Sequence, residues 1–404
     1  MILVEEALAR LLKPLSALAA EDVTLPEAFG RVLAEDVASR RTQPPSSMSA
    51  MDGYAVRAAD LDSFPARLLV VGAAPAGSAF DGIVGTREAV RIFTGAPVPQ
   101  GADSIVIQED TERDGDYVVV PRAVTKFRHI RPEGQDFKLG SVELHAGKRL
   151  TARDIGLAAA MDRPWLRVHR RPRVAILATG NEIVLPGEPA GPNQIVSSNS
   201  FALGAFVTAC GGIPVQLGIA PDDKAALQRL ADGARGADLL VTTGGASVGD
   251  HDLVREALGA TGLELDFWQI ALRPGKPLMV GRYKDTPMVG LPGNPVSTMV
   301  CALLFLKPAL ERLSGLVASD TDPATARLAR PLPASDRRQD YLRASLRRAA
   351  DGLLEANPFE TQDSSLMGVL ARSDCLVIRP PHAPAAKTGD MVPVLMLGGG
   401  VFTI

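Results

Sequence analysis

The 404-residue chain contains few of the residues that form disulfide frameworks, thiolate metal sites or nucleophilic triads. Its three cysteines, Cys210, Cys301 and Cys375, lie far apart and form no CxxC pair, which excludes a disulfide scaffold and a thiolate zinc site. None of the five histidines has a partner at a recognisable spacing, and no GxSxG turn is present. We therefore do not expect triad chemistry, and the expected location is the reducing cytoplasm.

Long apolar runs and an excess of basic charge are also missing. The most lipid-like stretch, from Met299 to Leu306, is far shorter than the ~20 residues that span a bilayer. Glu5 and Glu6 occupy the place where a signal peptide has basic residues. The formal net charge of -3 provides no positive field for a nucleic acid. The expected partners are therefore small molecules or proteins, with no membrane and no nucleic acid among them.

Strand and helix patterns divide the chain into four predicted parts. Residues 171–317 alternate strand-like and helix-like segments, which is typical of a doubly wound, mainly parallel sheet covered by helices. Short β-rich runs predict a small β domain over 41–140 and a second, barrel-like one over 318–404. Residues 1–40 with 141–170 are expected to form an extended α/β linker and dimerisation region. The predicted fold class is a multidomain α/β protein, with a central doubly wound mixed or mainly parallel sheet domain flanked by two small β domains and this linker.

Apolar residues at helical spacing predict the helices. Two are expected near the amino end, over 3–13 and over "LPEAFGRVLAEDV" at 25–37. Thr151 and Asp154 make a capping-box-like start for a third, over 151–161. The remaining helical segments are expected at 199–210, 223–234, 250–259, 296–312 and, as a short turn, 365–371.

Each unusual loop of the central domain comes directly after a predicted strand. The loops are Thr179 to Glu182, Ala220 to Asp223, "TGGASVGDHD" at 243–252, "ALRPGKP" at 271–277 and Pro292 to Pro295. In an open parallel sheet the carboxyl ends of the strands lie along one edge, and ligands bind in the crevice there. Loops that are remote in sequence are therefore expected to share one site.

Carboxylates would crowd together at such an edge. They are Glu182, Asp222, Asp223, Asp250 and Asp252, and only Arg273 and Lys276 could offset them. Because this array needs a counter-ion, and because oxygen ligands without His or Cys favour Mg²⁺ bridged to phosphates, the sequence predicts a magnesium site.

Two of the loops are suited to phosphate. Gly244 and Gly245 would let backbone amides approach an anion, and Ser247 adds a hydroxyl. In "LPGNPVST", the predicted helix begins at Pro295 with Asn294 as its cap, so that free amides and a positive dipole end lie beside Ser297. The "RPGKP" segment lacks the GxxxxGK[ST] spacing of a P-loop.

Every one of these features also has a purely structural interpretation. Glycine-rich turns follow strands in many α/β proteins, Pro-Gly-Asn-Pro is a good turn and cap, and acids such as Asp222 and Asp223 stabilise a helix start by ~0.3 to 1 kcal/mol without a ligand. Asp52 in "SAMDGYAV", read alone, is a turn residue before Gly53. The functional interpretation depends on five loops meeting at one sheet edge.

The ordered motifs resemble those of the molybdopterin molybdotransferases, the molybdenum-insertion enzymes, which are similar to the E domain of gephyrin. The resemblance covers essentially the whole chain, through "AFGRVLAEDV", "SAMDGYAV", "RIFTGAPVPQGAD", "ATGNEI", "LGIAPDD", "TTGGASVGDHD", "RPGKP" and "GLPGNPVS". It implies a homodimer and a reaction in which molybdate and adenylylated molybdopterin give molybdenum cofactor and AMP with the help of Mg²⁺. It also implies a molybdopterin adenylyltransferase-type protein as the donor of the substrate.

The resemblance implies roles for particular residues. Metal and pterin adenylate would be bound by Glu182, Asp222, Asp250 and Asp252. Phosphate or molybdate would be neutralised by Arg273 and Lys276. The pterin and phosphate cradle would include Gly244, Gly245, Ser247, Pro292, Gly293, Asn294 and Ser297. Asp52, Thr94 and Asp136 match positions at the rim of the site. The catalytic residues would be Asp52, Glu182, Asp252, Arg273 and Lys276. Arg338, Arg343 and Ser364 match a region that faces the active site of the partner subunit.

The sequence departs from the family pattern at several positions. Gln269 stands where some members have Lys, and Asn181 stands where Asp is frequent. These changes concern the way in which the anion is held and the choice between molybdate and tungstate. Two other functions remain open at this point, a non-catalytic gephyrin-like scaffold or interaction protein, and a nucleotide hydrolase of similar domain type.

Overall fold

The computed structural model describes residues 1–245, 253–317 and 323–398. In the first part of the chain, up to residue 170, it contains these elements: α1 (Val4–Leu12), β1 (Ala20–Thr24), α2 (Leu25–Ala28), β2 (Val37–Ala38), β3 (Met48–Ser49), β4 (Gly53–Val56), β5 (Ala66–Ala74), β6 (Glu88–Ile92), β7 (Ser104–Ile107), β8 (Glu112–Asp114), β9 (Tyr117–Val120), β10 (Ile130–Arg131), β11 (Val142–Leu144), α3 (Ala152–Ala160) and β12 (Trp165–His169).

The central part alternates strands and helices. Its elements are β13 (Arg173–Thr179), β14 (Ile183–Val184), β15 (Ile195–Val196), α4 (Asn199–Ala209), β16 (Ile213–Ala220), α5 (Lys224–Ala231), β17 (Leu239–Thr243), α6 (Leu253–Gly259), β18 (Leu263–Gln269), β19 (Leu272–Arg273), β20 (Pro277–Tyr283), β21 (Thr286–Leu291), α7 (Pro295–Cys301) and α8 (Lys307–Leu313), with a π-helical stretch, Ala302–Leu306, between the last two helices.

The last part is built mainly of strands. Its elements are β22 (Ala324–Leu328), β23 (Gln339–Arg348), β24 (Leu354–Pro358), α9 (Met367–Ala371), β25 (Cys375–Arg379) and β26 (Met391–Met396).

The central sheet has the strand order β16-β13-β17-β21-β20-β18. The first four strands are parallel, whereas β20 and β18 run antiparallel to their neighbours. The predicted mixed, mainly parallel sheet is therefore confirmed. The parallel strands β13 and β17 are almost wholly buried, because helices cover both of their faces.

The extended part is a set of short paired strands around its own small core. Strands β1 and β12 pair antiparallel, as do β2 and β11. The helix expected over 151–161 is present as α3, and its capping box is formed by Thr151 and Asp154, whose Oδ2 accepts from the Thr151 N–H at 2.8 Å. This box satisfies backbone donors that the first helical turn leaves unpaired.

The expectation of a helix over 25–37 is wrong beyond the first turn. Helix α2 ends at Ala28, and Gly30 then adopts a positive φ of 73°. Val32 and Leu33 form bridges to Arg149 and Val168 instead. The apolar residues of this segment are spaced as in a helix, but they are buried against the strands of the extended part.

Helix α1 packs on the α/β domain, although the sequence pattern assigned it to the extended region. Its apolar residues Val4, Ala7 and Leu11 lie in the same core as Phe305 and Leu310 of the helical segment that ends the central domain. The amino end of the chain therefore contributes to the core of the central domain.

The two β parts differ in closure. The first has an open six-stranded sheet, β7-β4-β6-β5-β9-β8, in which only β5 and β6 are parallel. In the last part β23 pairs with both β24 and β25, so that β23-β24-β22-β26-β25 close into a barrel, and β19 pairs with the first two residues of β23. Closure removes free strand edges. None of the helices in the described ranges is both long enough and apolar enough to span a lipid bilayer.

Candidate functional site

Strand register brings the predicted loops to one edge of the central sheet. Strands β13, β17 and β21 end side by side, at Thr179, Thr243 and Leu291. Antiparallel β20 begins at this edge and β18 ends there, because Gln269 pairs with Pro277. The loops that carry Arg273 and Lys276 therefore open at the same edge as those after β13, β17 and β21.

Glycines allow neighbouring loops to touch. A Cβ on Gly244 would lie 2.5 Å from the Thr179 backbone oxygen, and one on Gly245 would lie 2.7 Å from Thr179 Oγ1. Gly293 is the next neighbour, since its Cβ would lie 3.5 Å from the Gly244 Cα. Thr179 Oγ1 is buried and has no hydrogen-bond partner among the described residues. The predicted glycine cradle is thus a tightly packed turn against β13.

A hydrogen-bond network that the sequence analysis missed holds the Pro292 to Asn294 loop. Asn199 Nδ2 donates to Thr243 Oγ1 at 2.9 Å and to the Gly293 oxygen at 2.7 Å. Thr298 Oγ1 donates to the Pro292 oxygen at 2.6 Å. The only sequence signal for this network was the presence of small polar residues at the start of α4 and the end of β17. The network joins the Pro292 to Asn294 loop to the start of α4 and the end of β17.

The acidic end of the edge lies after β13 and β16. The Asn181 N–H donates to Asp222 Oδ2 at 3.3 Å, and the Asp222 N–H donates to Asn181 Oδ1 at 3.0 Å. The Glu182 carboxylate folds over Gly180, which has no side chain to block it. Asp223 is a helix cap, because its Oδ1 accepts from the Ala226 N–H at 2.7 Å. Glu182 and Asp222 therefore lie on neighbouring loops of the sheet edge, joined through Asn181.

Part of the predicted metal site lies outside the described residues. These are Ser247, Asp250 and Asp252, in the segment 246–252. Within residues 1–245, 253–317 and 323–398, no group of three or more His, Cys, Asp or Glu side chains is placed to hold a metal ion. Glu182 and Asp222 are thus the two described members of the predicted set.

The amino end of α7 is less open than the sequence suggested. Asn294 takes the N-cap position, but its side chain makes no capping bond and Nδ2 donates to Ser364 Oγ at 2.7 Å. The Val296 N–H donates to the Ser364 oxygen at 3.0 Å. The expectation of a side-chain cap is wrong, and one of the amides expected to be free is used by the last domain. Ser297 is buried in the same turn.

Arg273 lies in an ion-pair cluster with the last domain. Its Nε and Nη2 donate to the two carboxylate oxygens of Asp340 at 2.6 and 2.7 Å, and its Nη1 lies 3.3 Å from Asp336 Oδ2. Asp336 also accepts from Arg338, from Nη2 at 3.0 Å and from the N–H at 2.8 Å. Ser364 thus contacts the central domain of its own chain directly, and Arg338 is linked to Arg273 only through Asp336, although the resemblance implied that both residues face the partner subunit.

The Asp336 carboxylate gives a pH-dependent test of this cluster. The side-chain and backbone hydrogen bonds from Arg338, with the charge of Arg273, lower the pKa of Asp336 from 3.8 to about 2. Because the folded-state pKa is depressed, the cluster stabilises the fold above pH ~4 and this contribution is lost as the pH falls toward 2. We expect Arg338→Ala to raise the Asp336 pKa, as measured by carboxyl ¹³C NMR.

The neighbouring exposed Arg337 provides the control, since Arg337→Ala removes the same charge without touching the hydrogen bonds in this cluster. An Asp336 titration that stays at about pH 2 in the Arg338→Ala protein would contradict the assignment.

Arg343 is the most unusual residue of the region. It is fully buried, and its Nε, Nη1 and Nη2 have no hydrogen-bond partner among the described residues. On β23 it alternates with Leu342 and Ala344, which line the barrel core, and shares the opposite face with Tyr341, which packs into the core of the α/β domain. Burial lowers the Arg343 pKa, while Asp363 opposes this change. The structure thus contains a buried cation on the side that faces the central domain.

Lys276 is half-buried beside the same domain boundary. Within the part of the chain that the structure describes, its ammonium group has neither a hydrogen bond nor an ion pair. Lys276 and Arg343 therefore differ from Arg273, whose charge is already compensated.

Asp52 and Thr94 form a separate group in the first β domain. Asp52 Oδ1 accepts from the Thr94 N–H at 2.7 Å and from Thr94 Oγ1 at 2.8 Å. These bonds lower the pKa of Asp52. Asp136 is exposed, and no hydrogen bond or ion pair between described residues joins it to this pair. In the same described ranges, no such bond connects residues 41–140 with the loops of the central sheet edge.

The central edge is therefore polarised. Its acidic end lies after β13 and β16, and its cationic end, with Lys276, lies at the start of β20. Three strand spacings of ~4.8 Å separate β13 from β20, so the ends are roughly 14 Å apart. An edge with this charge distribution suits an elongated ligand with a metal-bound phosphate at one end and an oxyanion at the other.

The fold defines a four-part α/β protein whose central sheet has acidic and cationic loops along one edge. Residues 2–161 match the MoeA N-terminal region (domain I and II), residues 175–312 match the "Probable molybdopterin binding domain", and residues 325–397 match the MoeA C-terminal region (domain IV). The chain belongs to the MoeA family.

Relatives of similar length support this assignment. The chain is 35% identical over 388 residues to a molybdopterin molybdenumtransferase of Nostoc sp., covering 93% of this chain and 88% of that protein. It is 38% identical over 346 residues to molybdopterin molybdenumtransferase 2 of Mycobacterium tuberculosis, covering 83% and 85%. The crystal structure of the molybdopterin biosynthesis moeA protein from Pyrococcus horikoshii OT3 superposes with a TM-score of 0.85 at 28% identity, covering 98% and 100% of the two chains.

Proposed function

We propose that this protein is a molybdopterin molybdotransferase, which inserts molybdate into adenylylated molybdopterin and releases AMP. The molybdenumtransferase activity named for its relatives supports the transferase class. The observation that carries the proposal is the buried, unpartnered guanidinium of Arg343. A buried charge without a partner is costly, and arginine remains protonated, so an oxyanion substrate is the natural counter-charge.

The cationic end of the cleft would bind the metal oxyanion. Lys276 and Arg343 supply positive charge that no hydrogen bond or ion pair between described residues satisfies, and Arg338 adds a third cation whose partner Asp336 is exposed to solvent. The Asn294–Ser364 hydrogen bond places a hydroxyl and an amide between the central and last domains. Arg273 is bound twice by Asp340, so we propose that it positions the loop that carries Lys276.

The acidic end would bind the adenylate through Mg²⁺. The donor set fits this ion, because Glu182 and Asp222 offer carboxylate oxygens and Mg²⁺ commonly takes one or two of these with phosphate oxygens and water. Asp250 and Asp252 would complete the set. The ion would neutralise charge on the phosphoanhydride, and Gly244, Gly245 and Ser247 would hold the adenylate and pterin against β13.

A homodimer would complete the site. Asp52 and Thr94 lie in a domain that makes no described hydrogen bond or ion pair to the central edge of its own chain. We propose that a second copy brings this group, with Asp136, to the cleft. A molybdopterin adenylyltransferase-type protein would supply the adenylylated substrate, and the reaction would take place in the cytoplasm.

Lys276 provides the first test of the proposed activity. Purified protein is mixed with adenylylated molybdopterin, molybdate and Mg²⁺, and AMP is measured by chromatography. We expect AMP release to depend on molybdate, and to stop when EDTA removes the metal. Lys276→Ala should raise the half-saturating molybdate concentration by about tenfold, because roughly 1.4 kcal/mol of charge-assisted binding is lost.

Lys387→Ala, which removes an exposed lysine from the last domain, is the matched control and should leave the molybdate dependence unchanged. AMP release without molybdate would instead support a hydrolase, and tight pterin binding without any AMP release would support the scaffold function.

A further inference from the structure

A second cationic cleft, shallow and open to solvent, lies at the opposite edge of the central sheet. It is formed where the extended part meets the amino ends of the strands, just before β13 and β16, and it is lined by Arg31, Arg149, Arg170 and Arg171. Because β13 runs from this edge to the loops of the proposed substrate site, the two sites lie at opposite ends of the strand. The arginines come from three separate segments of the chain.

Two of these arginines have carboxylate partners. Arg31 is only 8% exposed, pairs with Glu21, and donates from Nη2 to the His169 oxygen at 2.8 Å. Arg170 donates from both Nη atoms to Asp238, at 2.7 and 2.5 Å. Their charges are thus compensated, and they form the fixed walls of the cleft.

The other two arginines are not compensated. Neither Arg149 nor Arg171 has a carboxylate within 4.0 Å among the described residues. Arg149 Nη1 donates only to the Gly30 oxygen, at 3.2 Å, and a Cβ on Gly211 would lie 3.3 Å from the same nitrogen. Glycine at 211 therefore leaves room beside this guanidinium.

The charge balance of the cleft is consequently positive. Four guanidinium groups face two carboxylates, Glu21 and Asp238, which leaves two uncompensated charges. The nearby buried Glu311 does not change this balance, because Lys307 lies 3.3 Å from its carboxylate. Guanidinium groups bind planar pairs of oxygen atoms on phosphate-class anions through two parallel hydrogen bonds.

We infer that this cleft binds a small oxyanion of the phosphate class and, by doing so, fixes the extended part against the central domain. Arg149 and Arg171 supply the charge, and Arg31 and Arg170 hold the walls from the two parts. The site is independent of the proposed substrate site. The competing explanation is that the arginines only offset the negative carbonyl ends of α4 and α8, which finish beside the cleft at Ala209 and Leu313.

Calorimetric titration of the full chain with inorganic pyrophosphate tests this inference. The background is Lys276→Ala/Arg343→Met, which weakens anion binding at the proposed substrate site, and the ionic strength is kept constant with sodium chloride. We expect one saturable site per chain. Adding Arg149→Ala and Arg171→Ala should weaken binding at least tenfold, and Arg171→Ala alone should weaken it measurably.

Arg229→Ala is the matched control, because it removes an exposed positive charge from α5, away from the cleft. Equal affinity in the Arg149→Ala/Arg171→Ala and Arg229→Ala proteins, or the absence of saturable heat, would overturn the inference and leave the arginines as helix-end partners. Parallel titrations with inorganic phosphate and AMP distinguish a free oxyanion from a phosphate carried by a nucleoside. Thermal unfolding of each variant shows whether it is folded.

Discussion

Arg343→Met is expected to make the protein more stable and almost inactive. The guanidinium is fully buried without a partner in the described structure, so its removal relieves a desolvation cost, and an apolar side chain of similar length can fill the space. We expect the free energy of unfolding of the ligand-free protein to rise by about 1–4 kcal/mol. AMP release should fall by roughly 10²–10³-fold, since a charged group aimed at the oxyanion is lost.

Arg348→Met is the control for this prediction, because Arg348 is an exposed arginine on the same strand, β23. It should change neither stability nor activity by much. Denaturant unfolding and the AMP assay measure the two effects separately. A protein that loses stability as well as activity would show that Arg343 is paired in solution, and unchanged turnover would remove Arg343 from the proposed site.

Gly244→Ala is expected to disrupt the site from within the backbone. Gly244 has a φ of 87°, and a Cβ there would lie 2.5 Å from the Thr179 oxygen at the end of β13. The positive φ costs an alanine about 1–2 kcal/mol, and displacement of the turn adds ~1–3 kcal/mol. Because this turn leads into the predicted metal-binding segment, a shift on the order of 1 Å should lower turnover about 10²-fold.

Gly236→Ala separates the cost of the positive φ from the cost of the contact with Thr179. Gly236 has a similar φ of 83°, but nothing lies within 4 Å of the added Cβ. It should show the backbone cost alone and retain activity. If urea unfolding gave both variants the same loss of stability, the packing of Gly244 against Thr179 would not be the source of the effect.

Together these predictions concern a cleft with opposite charges at its two ends. Carboxylates follow β13 and β16, whereas the cations lie at the start of β20 and on the barrel that packs beside it. A substrate that carries both a metal-bound phosphate and an oxyanion would be oriented by this polarity before any chemistry occurs. The arginine cleft lies at the other end of the sheet, away from this edge.

The sequence alone determined most of the central domain and the position of its loops. Strand–helix alternation predicted a mainly parallel sheet, and the rule that strand ends share an edge placed the residues near Thr179, Gly244 and Asn294 together, as the structure shows. The Thr151–Asp154 capping box was also predictable, because both partners lie within one helical turn. These features are local or periodic, and period and spacing are what a sequence displays directly.

Only the tertiary structure decided which charges are compensated. Nothing in the sequence distinguishes the charge of Arg273 from that of Arg343. In the structure Asp340 pairs with Arg273, whereas no described side chain pairs with Arg343. The chain after Ala28 likewise forms bridges to distant strands where its apolar spacing suggested more helix. The reason is common to these cases: the free energy of a charge or an apolar face depends on what packs across from it, and those partners lie far away along the chain.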